Sequence, residues 1–238
     1  MIKAISSKNN ERVKFAYSLK ESKNRKLHKM FLAETFKSLK MALSANAVVE
    51  VFTLSYLDIP EEIPQNLVSE DVLHKLSSNV NPEGVVFIAK LNECKVSDPK
   101  KVLYLDHIND PGNMGTLIRT ALAFDYDLIV TSEDSVSVYN EKVVNSTKGA
   151  IFCIPIKGGK LSEFASSHQI LVTNLGKNAV DFNEVKLQER FVLVLGNESH
   201  GVSKENLKLA SQEIIIPIKS IDSLNVAVAG GILMNKIH

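Results

Sequence analysis

The chain of 238 residues, with 45% hydrophobic and 23% charged content and 11 glycines, has the make-up of a folded globular protein, which excludes a disordered, collagenous or fibrous one. No apolar run approaches the roughly 20 residues that a membrane helix needs, and the opening MIKAISSKNNERVK lacks the apolar core of a signal peptide. The net charge of +1 conceals an asymmetry: residues 1–40 hold nine Lys and two Arg against three Glu, and the remainder 17 basic against 24 acidic groups. Such a basic end calls either for a nucleic-acid partner or for a solvated helix face.

In chain order, the basic end opens on the polar cluster SSKNN and continues with Val13, Ala16, Tyr17 and Lys20 at helical spacing. KMFLAETFKSLKMALSA predicts a short strand turning into a helix with Phe36, Leu39 and Leu43 on one face. VVEVFTLS predicts a strand, SEDVLHKLSS a short helix with a serine cap, and EGVVFIAKL another strand. NECKVSDPKK is polar and contains a proline, the mark of a linker, and sets a domain boundary near 93–100. Beyond it, apolar strands are expected at 102–107, 127–132, 150–156, 169–175, 191–196 and 213–218. Helices are expected between most of them, at 113–124, 140–147, 161–167, 203–210 and 223–236. Continuous apolar strands alternating with helices predict an α/β fold with a parallel sheet covered on both faces. Ligands of such sheets sit beyond the carboxyl ends of the strands, so chemistry is expected in the loops that follow strands. The two cysteines, Cys94 and Cys153, have no metal-ligand partner at useful spacing, so no metal is expected and a reducing cytoplasm is.

Three of those loops carry unusual residues. In DPGNMGTLIRTAL, Asn113 is placed as a helix cap, Met114, Leu117, Ile118, Ala121 and Leu122 fall on the inner face, and Arg119 lies off it, one turn after Gly115. Helical side chains lean toward the N-terminus, so the guanidinium is expected over the bare Gly115, facing a loop whose free N–H groups favour an anion. A surface pairing of Arg119 with Asp110 or Asp125 would explain it equally. In FVLVLGNESHGVS, Gly196 and Gly201 let the backbone approach a ligand, and Glu198 stands beside Asn197 at a strand end. This is neither the dinucleotide fingerprint nor a phosphate loop, and His200 lacks an evident orienting carboxylate. In IIIPIKSIDSLNVAVAGGIL, Ser223 is placed as the helix cap and Asn225 in the first turn, while Ala227, Ala229, Gly230 and Gly231 permit close approach of another backbone.

In this order, the three loops resemble the three motifs of the SpoU/TrmH family of RNA ribose 2′-O-methyltransferases, in the SPOUT superfamily, across residues 100–238. ISSKNNERVK, KMFLAETFKSLK and VNPEGVVFIAK are similar to the family's substrate-binding domain. The resemblance implies a small α/β RNA-binding domain over 1–95 and a methyltransferase domain over 100–238, whose C-terminal segment forms a trefoil knot, a topology nearly absent elsewhere. It implies S-adenosylmethionine as cofactor, with Thr173, Gly196, Gly201, Ile216 and Leu224 lining its pocket. Asn113, Arg119, Glu198, Ser223 and Asn225 match the family's active-site positions. A homodimer is implied, joined through helices of the second and third motif regions and acting on RNA, with ribosomal RNA ahead of transfer RNA. Arg119 is expected to stabilise the alkoxide developing at a ribose hydroxyl, or to hold the adjacent phosphate, because a guanidinium keeps its proton at neutral pH. Glu198 is expected to hold Arg119 or its neighbourhood. The chain departs from the family at Thr35 and Ser199, where glycine is usual, at Ile218, where methionine is common, and at Asn145, where arginine stands. Two rival readings are an RNA-binding scaffold without turnover and a doubly wound nucleotide-binding enzyme. The second is opposed by the missing G-x-G-x-x-G turn after VLYLDH.

Overall fold

In the computed structural model, which describes residues 5–176 and 178–237, the chain crosses three times between two units. One is built from Met1–Asn92 and Tyr139–Cys153, the other from Glu93–Val138 and Ile154–His238. The stretch expected as one domain over 100–238 therefore lends Tyr139–Cys153 to the first unit.

In the first unit, Asn10 caps α1 (Glu11–Ser18), its side chain accepting the Arg12 N–H at 2.9 Å. α2 (Ser22–His28) follows after a short turn. It is seated by the buried Arg25, whose guanidinium donates to the carbonyls of Leu19 (3.2 Å) and Lys20 (2.6 Å) at the end of α1. β1 (Met30–Glu34), α3 (Phe36–Ser44), β2 (Val48–Thr53), β3 (Gln65–Leu67), α4 (Glu70–Leu76) and β4 (Val85–Lys90) complete its first segment. The sheet runs β1-β4-β2-β3, antiparallel except for the β2–β3 pair. β3, with the sequence QNL, has no apolar alternation and leaves no trace in a hydrophobic pattern. Val13 and Ala16 of α1 and its cap Leu19, with Val72, Leu73 and Leu76 of α4, close one face of the sheet over Leu32, Phe52, Val86 and Ile88.

The returning segment adds aromatic packing to the same unit. It carries α6 (Glu141–Thr147), while α5 (Pro111–Ala123) belongs to the other unit. The Phe152 ring stacks on Phe31 at 5.7 Å and lies 6.0 Å from Phe87, and Tyr139 lies 4.8 Å from Phe31. The run AIFCIPI, expected as a strand over 150–156, opens instead as a 3-10 turn, Ala150–Phe152. Pro155 has no N–H to give to a ladder, and pairing starts only at β7 (Ile156–Gly158). Asn145, the departure on α6, donates to Glu34 Oε1 (2.8 Å) and Ser78 Oγ (2.9 Å). Burial alone would push the Glu34 carboxyl up. Hydrogen bonds from Ser77, Ser78 and Asn145 outweigh it and hold the group below the ordinary carboxylate range. Thr35, the other departure in this unit, sits at φ +81°, a region that a β-branched residue rarely enters. Its Oγ1 accepts the Ser38 N–H at 3.2 Å and so caps α3.

The second unit holds β5 (Lys101–Leu105), α5 (Pro111–Ala123), β6 (Leu128–Thr131), β7, β8 (Gln169–Thr173), β9 (Val180–Asp181), β10 (Phe191–Leu195), α7 (Lys204–Leu207), β11 (Gln212–Ile215) and α8 (Val226–Lys236). Its seven strands pair only in parallel, in the order β7-β6-β5-β10-β8-β11-β9. Both faces are covered, as the continuous apolar strands require. On one face Val102, Val130, Val172, Val192 and Val194 meet Leu161, Phe164 and Val202. The helix expected over 161–167 is a single 3-10 turn, Leu161–Phe164. On the other face α5 packs against α8. A Cβ on Gly230 would stand 2.4 Å from Leu117 Cδ2 and 2.8 Å from Leu195 Cδ1, so this glycine lets α8 down onto α5 and β10. Among the described residues no helix is long and apolar enough to cross a membrane.

Candidate active site

The first loop follows β5. Asp110, not Asn113, is the cap of α5: its carboxylate accepts the Asn113 N–H at 2.7 Å, and Pro111 occupies the first helical position, where its missing N–H is no loss. With Asp110 as the cap, the Asn113 side chain is free to donate from Nδ2 to Glu198 Oε1 at 2.6 Å. Its Oδ1 accepts from Asn225 Nδ2 at 3.0 Å. Asn225 in turn caps α8, a place expected for Ser223, with its Oδ1 accepting the N–H groups of Ala227 (2.9 Å) and Val228 (3.2 Å). The three loops thus meet through one chain of side-chain bonds, Glu198–Asn113–Asn225.

The second loop is a tight turn closed by reciprocal backbone bonds, Asn197 N–H to Gly201 C=O at 3.0 Å and Gly201 N–H to Asn197 C=O at 2.9 Å. A Cβ on Gly196 would lie 2.3 Å from the backbone of Gly201 and of Val202, so only glycine fits beneath this turn. Gly201 sits at φ +68° over open space. The Asn197 side chain spans the turn: Oδ1 accepts the N–H of Ser199 (2.9 Å), and Nδ2 donates to His107 C=O (2.9 Å).

A pocket of about 420 Å³ opens at the carboxyl ends of β8, β10 and β11, the place expected for a parallel sheet. All five residues expected to hold the cofactor, Thr173, Gly196, Gly201, Ile216 and Leu224, line it, and so do Glu198 and Ser223. Asn113 and Asn225 stand behind Glu198. Arg119 is exposed and, among the described residues, forms no ion pair or hydrogen bond, with Asp110 and Asp125 included. Six residues beyond Asn113 on α5, it lies about 9 Å along the axis and a third of a turn around it, and does not join the network. The carboxylate expected to hold it, Glu198, holds Asn113 instead.

The resemblance implies S-adenosylmethionine, and the lining tests that group. Glu198 and Asp222 line the pocket among apolar and neutral polar side chains, and among the described residues no Lys or Arg does. Such walls suit a cationic sulfonium with an apolar body and oppose a polyphosphate. The volume lies within the range of about 300–1,000 Å³ found for small-molecule sites.

Two residues that hold the second loop are absent from the sequence reading. Asp106, fully buried at the end of β5, accepts the Ser203 N–H at 2.8 Å and His107 Nδ1–H at 2.8 Å. Burial alone would raise its pKa. Hydrogen bonds from the Ser203 backbone, from the Asn206 and Ser203 side chains and from His107 outweigh that, so the carboxyl stays ionised below the ordinary range. Asp106 thereby fixes the loop's far end at Ser203, while His107 C=O fixes its near end at Asn197. An acidic residue closing an otherwise apolar strand, LYLDH, was the available signal.

Comparison with known proteins gives the family. The SpoU rRNA Methylase family model matches residues 100–235, and the MRM3-like substrate binding domain matches residues 10–86. The chain is 30% identical, over 98% of both chains, to 23S rRNA (guanosine(2553)-2'-O)-methyltransferase RlmP of Bacillus subtilis. It is 26% identical to the mitochondrial rRNA methyltransferase 3 of Mus musculus, over 81% of this chain and 63% of that one. It superposes with a TM-score of 0.87 and 26% identity on the AdoMet-bound rRNA methyltransferase from Sinorhizobium meliloti, over 99% of this chain and 97% of that one.

Proposed function

The chain belongs to the SpoU rRNA Methylase family, and on that premise we propose that it methylates a ribose 2′-hydroxyl of ribosomal RNA with S-adenosylmethionine as donor. The observation that carries the reading is the bonded meeting of the three loops at one pocket, Glu198 to Asn113 at 2.6 Å and Asn113 to Asn225 at 3.0 Å. Ribosomal RNA is favoured over transfer RNA because the relative that acts on 23S rRNA matches both units, over 98% of this chain.

When bound, S-adenosylmethionine supplies a methyl group activated by a sulfonium. Thr173, Gly196, Gly201, Ile216 and Leu224 hold that donor, and the carboxylates of Glu198 and Asp222 favour its positive charge. Asn113 and Asn225 hold Glu198 and the two helix starts in one arrangement, and Ser223, on the pocket wall, orients the ribose hydroxyl. Fixing the hydroxyl against the methyl converts a bimolecular displacement into a local one, a recognised source of rate gain. Arg119, with no carboxylate partner among the described residues, is available to stabilise the oxyanion or to hold the neighbouring phosphate.

In the same reading the protein is a cytoplasmic homodimer with a C-terminal knot. Val228 and Ile232, 53% and 36% exposed and one turn apart on α8, form an apolar face suited to a second copy. The insertion of β10 between β5 and β8, with α8 returning to α5, supports the knot. The free thiols Cys94 and Cys153 suit a reducing compartment.

The test is methyl transfer from labelled S-adenosylmethionine into ribosomal RNA from cells lacking the gene, followed by mapping of 2′-O-methyl sites. One new site in ribosomal RNA is expected. Incorporation into transfer RNA alone, or binding of the donor without transfer, would overturn the reading.

A further inference from the structure

The basic end of the chain carries eleven cations in residues 1–40, and the structure sorts them. Lys3 lies outside the described residues. Lys8 pairs with Asp71 (3.5 Å), Arg12 with Glu50 (2.5 Å), Lys14 with Glu11 (3.0 Å) and Lys20 with Glu141 (3.3 Å). Arg25 is buried on the carbonyls at the end of α1. Lys23, Lys26, Lys29, Lys37 and Lys40 are exposed and form no ion pair among the described residues. Three of these five fall on α2 and its cap at intervals of three residues, about 4.5 Å of helix axis each. Leu27, 69% exposed, stands beside Lys26 on the same short helix.

Local structure accounts for only part of this arrangement. Cations in a last turn gain about 0.3–1 kcal/mol from the helix dipole, which explains Lys26. It does not explain Lys23 in the first turn, where the dipole opposes a cation, nor a leucine left in water among lysines. The helix is also held rigidly, since Arg25 ties it to α1 from within. A fixed row of unpaired ammonium groups flanking an exposed apolar side chain complements a phosphate backbone with a sugar or base between its charges.

We infer that α2, through Lys23, Lys26 and Lys29 with Leu27 among them, is the surface on which this unit docks the backbone of the substrate RNA. This rests on the RNA reading proposed above and names the face that takes the strand. An acidic protein is the alternative partner.

The test uses the full chain and a fluorescein-labelled 30-nucleotide RNA of mixed sequence, with affinity followed by anisotropy from 50 to 200 mM KCl. The Lys23→Gln/Lys26→Gln/Lys29→Gln variant is expected to lower the slope of log affinity against log salt by about 2, at roughly 0.7 per single-strand phosphate contact. The Lys37→Gln/Lys40→Gln variant should change it by less than half as much. S-adenosylmethionine affinity and thermal midpoint should stay as in the parent in both. An unchanged slope in the triple variant overturns the assignment and leaves the row to an acidic protein. A fall at least as large in the Lys37/Lys40 variant moves the surface to α3 and overturns it equally. Methyl transfer by the parent separates this outcome from the proposed function. Transfer with an unchanged triple-variant slope overturns only the docking surface, and a lost slope without any transfer overturns only the enzyme reading.

Discussion

Asn113 donates to Glu198 and accepts from Asn225, so Asn113→Ala breaks both bonds at once and leaves three loops unlinked. Transfer should fall at least a hundredfold, with the affinity for S-adenosylmethionine changed less than tenfold, because Asn113 stands outside the donor pocket; isothermal titration beside single-turnover kinetics checks the split. Arg119→Ala should fall as far with an unchanged thermal midpoint, since the exposed guanidinium forms no bond among the described residues. Normal turnover by that variant would remove Arg119 from the chemistry. Asp106 makes a pH prediction. Its pKa is lowered on folding, so its stabilising contribution is complete above the unfolded carboxylate range and is lost as pH falls through the lower, folded value. Glu34 acts in the same sense. Urea melts between pH 7 and pH 2 should therefore show a flatter acid limb for Asp106→Asn, which is less stable than the parent at neutral pH by about 1–3 kcal/mol for the buried bonds it loses. The meeting of the three loops was legible because their order along the chain is distinctive, while Arg119 stands outside their bonded network. The local duties of their residues were not. Asp110 and Asn113, like Ser223 and Asn225, are all competent caps, and only backbone geometry decides which member of each pair is left free for the site.

Helices and strands of the second unit were legible where a long apolar run met a clear stop, as in FVLVLG before the Gly196 turn. The pattern misleads where a left-handed residue precedes a run and a proline interrupts it, as in AIFCIPI of the first unit's returning segment and the start of β7, which follows Gly149 and contains Pro155. Glycine substitutions distinguish two reasons for the same residue. Gly196→Ala drives a Cβ into backbone at 2.3 Å, cannot be relieved by a rotamer, and should lower stability by about 3 kcal/mol or more. Gly201→Ala meets open space and carries only the left-handed penalty of about 1–2 kcal/mol. Thermal melts of the two variants should keep that order. At the start of α3, Thr35 combines an unfavourable φ of +81° with a cap bond to Ser38. Thr35→Ala keeps the strain and loses the bond, whereas Thr35→Gly loses both, so the glycine variant should be the more stable of the two by about 1 kcal/mol.

The proposed dimer makes a prediction for the molecule as a whole. Val228→Asp with Ile232→Asp places charge on the exposed face of α8, and light scattering should then report a species of half the parent mass with retained helix content. The asymmetry of charge along the sequence was legible before any coordinates, but which cations are free was not. Their carboxylate partners lie as far away in sequence as Glu141, which faces Lys20. That same far segment governs how the chain is made. Phe31 and Phe87 find Phe152 only after residue 152 exists. Leaving two such rings uncovered forgoes about 3–6 kcal/mol, a large part of the roughly 5–15 kcal/mol that holds a domain together. During synthesis the amino-terminal half must therefore wait, incompletely closed, through the emergence of β5, α5 and β6, and a fragment cut at the polar linker should be recovered as a protease-sensitive chain.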